Sequence, residues 1–302
     1  MAGPYAWIAV ALLACLVVLL GLRILTYPLR YFAKMDLSQV HAEELQIPVG
    51  DIDLHACLYL PRYVLDAQDE PIQRLPLVFL NPGWGLAIDN PLLKQWAVPL
   101  ALAGPYAVLA YDYRGVGKSP GPKLMTPLIL EDIPKVIDYG AKLPGIDPAR
   151  MGFVGISFGA VVALTKAYSD ERLKAIVSIV GLNDVKENFG RKPRTLGEWV
   201  SLKVLHLSGV KQEVLSDEDN RLMSPAFVMK PDRPDLNERV FLMNCVTDTT
   251  IAFDSFAKNQ EILNLPEEQT LVTQTGGHTA SHQELILSAR VFQFLNTKLN
   301  CQ

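Results

Sequence analysis

Three kinds of hydrophobic pattern follow one another along the chain. From Pro4 to Leu22 no residue is charged, and residues 6–20 are almost wholly aliphatic. That is about the length needed to cross a bilayer. A signal peptide is the rival reading, but no Lys or Arg precedes the run, it is long for a signal core, and no clear cleavage site follows it. Residues 44–48 and 52–60 then alternate with period two, with Ile52, Leu54, Ala56, Leu58 and Leu60 on one face. Val49-Gly-Asp51 between them reads as the turn of an antiparallel hairpin. Beyond a polar loop, residues 75–80, 106–112, 151–156, 175–180 and 240–246 are compact apolar runs, as expected of strands buried on both faces. Helical spacing fills the intervals around 91–102, 128–143 and 157–169. Strands alternating with helices predict an α/β domain, a mainly parallel sheet flanked by helices.

One interval, residues 183–237, is longer than a crossover needs. Within it Leu196, Trp199, Val200, Lys203, Val204 and Leu207 fall mostly three and four apart, which predicts an amphipathic helix. It reads either as a helix packed on the sheet or as a small cap whose apolar face lines a substrate pocket. The chain thus divides into a transmembrane anchor at 4–25, a juxtamembrane linker at 26–43 and a domain at 44–302, with a helical cap insertion at 183–237. Arg23, Arg30 and Lys34 follow the apolar run while only the terminal amine precedes it, so the positive-inside rule predicts a single-pass membrane protein with a cytoplasmic domain.

At 302 residues, 49% of them hydrophobic, the chain is long enough for one large core. A net charge of -4 offers no basic footprint for nucleic acid. Cys15, Cys57, Cys245 and Cys301 lack C-x-x-C spacing and read as ordinary thiols, and no His, Asp and Glu cluster has metal-ligand spacing. Neither a metal nor another cofactor is expected.

The chemistry gathers at Gly155-Ile-Ser157-Phe-Gly159, where an apolar strand enters a tight turn and leaves as a helix. Glycines on both sides of the serine remove side chains that would block such a turn, and the helix start offers free N–H groups to a developing oxyanion. Ser157 is therefore the candidate nucleophile. The loop Asn81-Pro-Gly-Trp-Gly85 follows a buried run, and Asp112-Tyr-Arg-Gly-Val-Gly-Lys-Ser119, Thr247-Asp248 and Gly276-Gly-His278 follow others. The 114–119 stretch lacks the spacing of a phosphate-binding loop.

With these motifs the chain resembles the α/β-hydrolase fold family over roughly residues 44–299, nearest to its esterase, dienelactone-hydrolase and lipase-like members. The resemblance implies a catalytic order of nucleophile, acid and histidine, which Ser157, Asp248 and His278 satisfy, with Asp184 as reserve acid and His282 as competing histidine. It implies oxyanion donors in the backbone N–H groups of Phe158 and, from the 81–85 loop, Trp84. This loop has Pro82-Gly83 where most such members have His-Gly; a backbone donor survives that change. Asp112 and Arg114 are expected to brace loops. The expected activity is that of a membrane-anchored serine hydrolase cleaving carboxylic esters, with hydrophobic small molecules or lipids as substrates. Serine peptidase, thioesterase, acyltransferase and inactive membrane-tethered binding protein stay open as alternatives, and oligomeric state is not readable.

Overall fold

The structure is a computed structural model that describes residues 37–299 together with Cys15. Apart from Cys15, the anchor expected at 4–25 and the linker up to residue 36 lie outside the described residues. Among the described residues no helix is long and apolar enough to cross a membrane.

Eight strands form one sheet: β1 (Val40–Pro48), β2 (Asp53–Pro61), β3 (Leu75–Asn81), β4 (Ala107–Tyr111), β5 (Ile146–Ile156), β6 (Leu173–Ile179), β7 (Val240–Cys245) and β8 (Thr270–Thr273). Their spatial order is β1-β2-β4-β3-β5-β6-β7-β8. The hairpin is antiparallel, β2 runs antiparallel to β4, and every later pair is parallel. Val40 pairs with Pro61, so residues 40–43, expected in the linker, belong to the sheet. Backbone pairing rather than apolar burial holds them, since only Val40 of the four is buried, and the hydrophobic pattern therefore did not show them.

The strands are apolar on both sides because both faces are covered. On one face α1 (Pro91–Ala103) and α10 (Glu284–Leu299) pack Leu93, Ala97, Leu100, Leu287, Val291 and Leu295 against Val78, Val108, Val154 and Phe241. Asn90 caps α1 by accepting the Leu92 N–H, with Pro91 at the first helical position, where its missing N–H costs nothing. On the other face α2 (Pro127–Gly140) presents Ile129, Ile133, Val136 and Ile137 at helical spacing to Leu77, Phe79 and Phe153. The helix α3 (Phe158–Val162), prolonged by a π-helical turn at Ala163–Ala167, is buried in this layer. β2 departs from the expected one-sided alternation: Cys57 and Tyr59 are buried against the α1 layer as well.

Between β6 and β7 the chain forms α4 (Val185–Gly190), α5 (Leu196–Leu207), α6 (Asp217–Met223), α7 (Pro225–Val228) and α8 (Pro234–Asn237); α9 (Asp254–Leu263) follows β7. The helix expected at 196–207 is present, but no residue of it is buried. Neither expectation for its apolar face holds. Leu196 is 77% and Leu207 85% exposed, and Trp199, Val200 and Val204 also face solvent. The side turned inward is small and polar. A side chain added at Gly197 would meet Thr249 at 3.3 Å, the Ser201 hydroxyl lies 3.0 Å from that of Thr249, and the Ser208 carbonyl at the helix end accepts a bond from Trp84. Leu205 alone packs inward against the core.

Candidate active site

The turn between β5 and α3 holds Ser157 at φ 58° and ψ -112°, a sparsely populated positive-φ conformation that costs a non-glycine residue about 1–3 kcal/mol. The neighbours impose it. The Ser157 N–H donates to the Ile179 carbonyl at 2.9 Å, while its own carbonyl accepts from Ala160 at 3.0 Å. The flanking glycines are required by close packing: a Cβ at Gly155 would sit 2.0 Å from the Gly159 carbonyl oxygen, and one at Gly159 would sit 2.2 Å from that of Asn81. The hydroxyl is thereby lifted to the head of α3, where the Phe158 N–H has no carbonyl one turn back to bond.

Two loops from the same edge of the sheet meet it. The His278 imidazole places Nε2 2.9 Å from the Ser157 hydroxyl and Nδ1 2.8 Å from Asp248 Oδ2. Asp248 directly follows the β7 edge, and its Oδ1 accepts the backbone N–H groups of Thr250 at 2.7 Å and Ile251 at 2.9 Å. One carboxylate oxygen is thus spent on shaping its own turn, leaving the other aimed at the imidazole. The His278 loop is tied to that turn where the Gly277 N–H donates to the Thr247 hydroxyl at 3.3 Å.

The 81–85 loop closes the third side. A Cβ at Gly83 would lie 3.3 Å from that of Ser157, so this backbone passes directly over the hydroxyl. The buried Tyr111 hydroxyl donates to Asn81 Oδ1, and that of Tyr113 donates to the Pro82 carbonyl at 3.3 Å. Burial pushes both phenols well above their ordinary range, which keeps them neutral donors. The Trp84 indole N–H donates 3.0 Å to the Ser208 carbonyl, and its ring meets Phe158 edge-on at 5.5 Å. The residue expected to lend its backbone N–H therefore also ties α5 to the site.

The remaining sequence candidates fall elsewhere. Asp184 caps α4 through the Glu187 N–H and accepts from Asn220, so it is a structural cap. His282, expected on the helix after Ala280, lies on the loop before α10. Ala280 at φ 50° and His282 at φ 65° are left-handed, which stops a right-handed helix until Glu284. Asp112 accepts from the N–H groups of Ile88 and Lys118 and meets the buried His55 ring at 3.0 Å. Arg114 bridges Asp51 and Asp132. Both brace loops.

Two residues absent from the sequence reading support the Asp248 turn. Asn188, nine-tenths or more buried, accepts the Ala252 N–H at 3.0 Å and donates to the Thr250 carbonyl at 3.2 Å. Arg191 donates to the carbonyls of Thr249 and Thr250 at 3.2 and 3.1 Å. No local motif marks them, because the contacts span 58 to 64 positions.

A mainly parallel sheet with a strained serine at a strand-to-helix turn defines an α/β-hydrolase. The family profile of the X-Pro dipeptidyl-peptidases (S15 family) matches residues 50–228, more than half of the sequence, and the chain belongs to that family. The matched span contains Ser157 and the 81–85 loop but ends before Asp248 and His278. The quorum-quenching protein AidA of Acinetobacter baumannii is 40% identical over 138 residues, 45% of this chain and 42% of AidA. The polyketide transferase claH of Penicillium crustosum is 39% identical over 109 residues, 35% of each chain. These alignments cover less than half of each relative's length. Among solved structures, hypothetical protein PA2218 from Pseudomonas aeruginosa superposes with a TM-score of 0.64 at 17% identity, covering 88% of this chain and 96% of that one, which is a likeness of fold.

Proposed function

We propose that the protein is a serine hydrolase that cleaves carboxylic esters through an acyl-enzyme on Ser157. The observation that carries this reading is the unbroken hydrogen-bond chain from the Ser157 hydroxyl through His278 to Asp248. A serine hydroxyl attacks only when a base takes its proton, and that base must be held in one tautomer. In the proposed cycle His278 Nε2 takes the proton as Ser157 Oγ bonds to the ester carbonyl carbon, while Asp248 holds Nδ1–H. The imidazolium then protonates the departing alkoxide. Water, deprotonated by the same nitrogen, then attacks the acyl carbon; the bond from that carbon to Ser157 Oγ breaks, His278 returns the proton to Oγ, and the acid leaves. The N–H groups of Phe158 and Trp84 stabilise the oxyanion in both steps, a contribution of about 3–4 kcal/mol for each well-placed donor.

An ester is favoured over a peptide because its alkoxide leaving group needs less help from a general acid than an amine does. Residues 4–25 are proposed as a single-pass membrane anchor and the catalytic domain as cytoplasmic, with hydrophobic esters, lipids among them, as substrates; the uncharged run and the basic residues after it support this. Residues 183–237 are proposed as the cap.

Acyl transfer is the second reading, favoured by the likeness to claH, whose name describes a transferase. Full-length protein given p-nitrophenyl esters of increasing chain length, with and without an alcohol, separates the two. Hydrolysis predicts free acid as the main product at every alcohol concentration. A transferase predicts mostly new ester, and no turnover at any chain length contradicts both.

A further inference from the structure

The outward face of α5 is apolar and exposed. On this helix Leu196, Trp199, Val200, Val204 and Leu207 lie within one continuous arc facing solvent, whereas Gly197, Ser201 and Ser208 face the protein. A helix covered only by its own domain carries its apolar residues on the inner side; this one is turned the other way. Charge on the same segment is equally one-sided. Residues 190–211 include Arg191, Lys192, Arg194, Lys203 and Lys211 against the single acid Glu198, in a chain of net charge -4. Glu198 is occupied at the helix start, where it accepts the Arg194 N–H. Lys192, Lys203 and Lys211 are exposed and have no ion-pair partner among the described residues.

We propose that α5 lies on a bilayer surface bearing anionic headgroups, its apolar arc entering the interface and the three lysines meeting the headgroups. An exposed apolar arc with one unpaired lysine within it, Lys203, and another four residues beyond each end of the helix, Lys192 and Lys211, has the chemistry of an interfacial helix. The uncharged run at 6–20 agrees with a chain already held at a membrane. The strand β1 enters the domain at the edge of the sheet opposite Ser157, because Val40 pairs with Pro61. Residues 26–36 reach at most about 40 Å when extended, more than the height of the sheet, about 30 Å, and so permit α5 to meet the same bilayer. The consequence is positional. Through Ser201 to Thr249, and Ser208 to Trp84, α5 borders both the Asp248 turn and the 81–85 loop. Docking sets the mouth of the site at the lipid surface, where an apolar ester enters without crossing water. The docking itself is independent of the chemistry proposed for Ser157.

The test uses the full chain in vesicles of phosphatidylcholine, with or without phosphatidylserine, whose acyl chains are brominated to quench nearby indoles. The signal of Trp199 is the difference between the parent and Trp199→Phe; that of Trp7, taken with Trp7→Phe, reports separately on the apolar run. The expected result is that Trp199 emission falls by half or more on the anionic vesicles, at least twofold more than on phosphatidylcholine alone. Replacing Lys192, Lys203 and Lys211 together by Ser removes that difference. Equal quenching on both vesicles, or none on either while Trp7 is quenched, overturns the proposal. Trp199 shielded without lipid, with mass doubling as concentration rises, also overturns it and assigns the face to a second copy.

Discussion

Two helices flank the same site and are built on opposite principles. All five residues of α3 are buried, whereas α5 has none buried. α3 is packed between the sheet and its covering layer, and it fixes Ser157 from below through glycines that leave no room for a side chain. α5 touches the site through a hydroxyl pair and one indole bond, and turns its apolar residues to the outside. The floor of the site is therefore set by close packing, which allows one arrangement. The roof rests on few polar bonds and is the part able to shift or to take a partner.

The comparison yields predictions that run from the floor outward. Asp248→Asn leaves the turn intact but holds the His278 ring in the wrong tautomer, and lowers kcat on a p-nitrophenyl ester on the order of 10³–10⁴-fold. Loss of less than tenfold would place the acid elsewhere. On stability, Leu164→Ala, at a fully buried position of the π-helical turn, costs about 2–5 kcal/mol in urea unfolding, while Leu207→Ala on α5 changes it by less than about 0.5 kcal/mol. Equal costs would erase the contrast between the helices. Arg191→Met keeps the stem but removes the two bonds to the Asp248 turn; kcat falls about tenfold with KM within about twofold, as expected when only the transition state loses support. A change confined to KM would make Arg191 a substrate contact instead. Trp84→Phe removes the bond to Ser208, worth about 1 kcal/mol, and raises amide exchange across 196–207 about fivefold while leaving 158–167 unchanged.

The same contrast explains what was legible in the sequence. The buried strands announce themselves as apolar runs, and the flanking glycines mark the turn at Ser157, because both features are local. Asp248 and His278 are visible through their place after predicted strands and their order in the family pattern. α5 was visible as a helix, yet its orientation was not: periodicity shows that two faces differ and does not say which one the domain covers. The β1 start at Val40 was hidden because pairing with Pro61 needs no apolar side chain. Asn188 and Arg191 act through carbonyls of a distant turn, and Asp112 and His55 meet across 57 positions. Such bonds follow from the folded chain alone, with no trace in residue spacing.

The central claim is that Ser157 is an activated nucleophile. Its most direct test is to treat the full-length protein with a fluorophosphonate and map the adduct by peptide mass spectrometry, beside Ser157→Ala and Asp248→Asn. The account predicts one adduct, on Ser157, formed far more slowly in Asp248→Asn and absent from Ser157→Ala. A folded protein that acquires no adduct, or one that labels equally in Ser157→Ala, would contradict it.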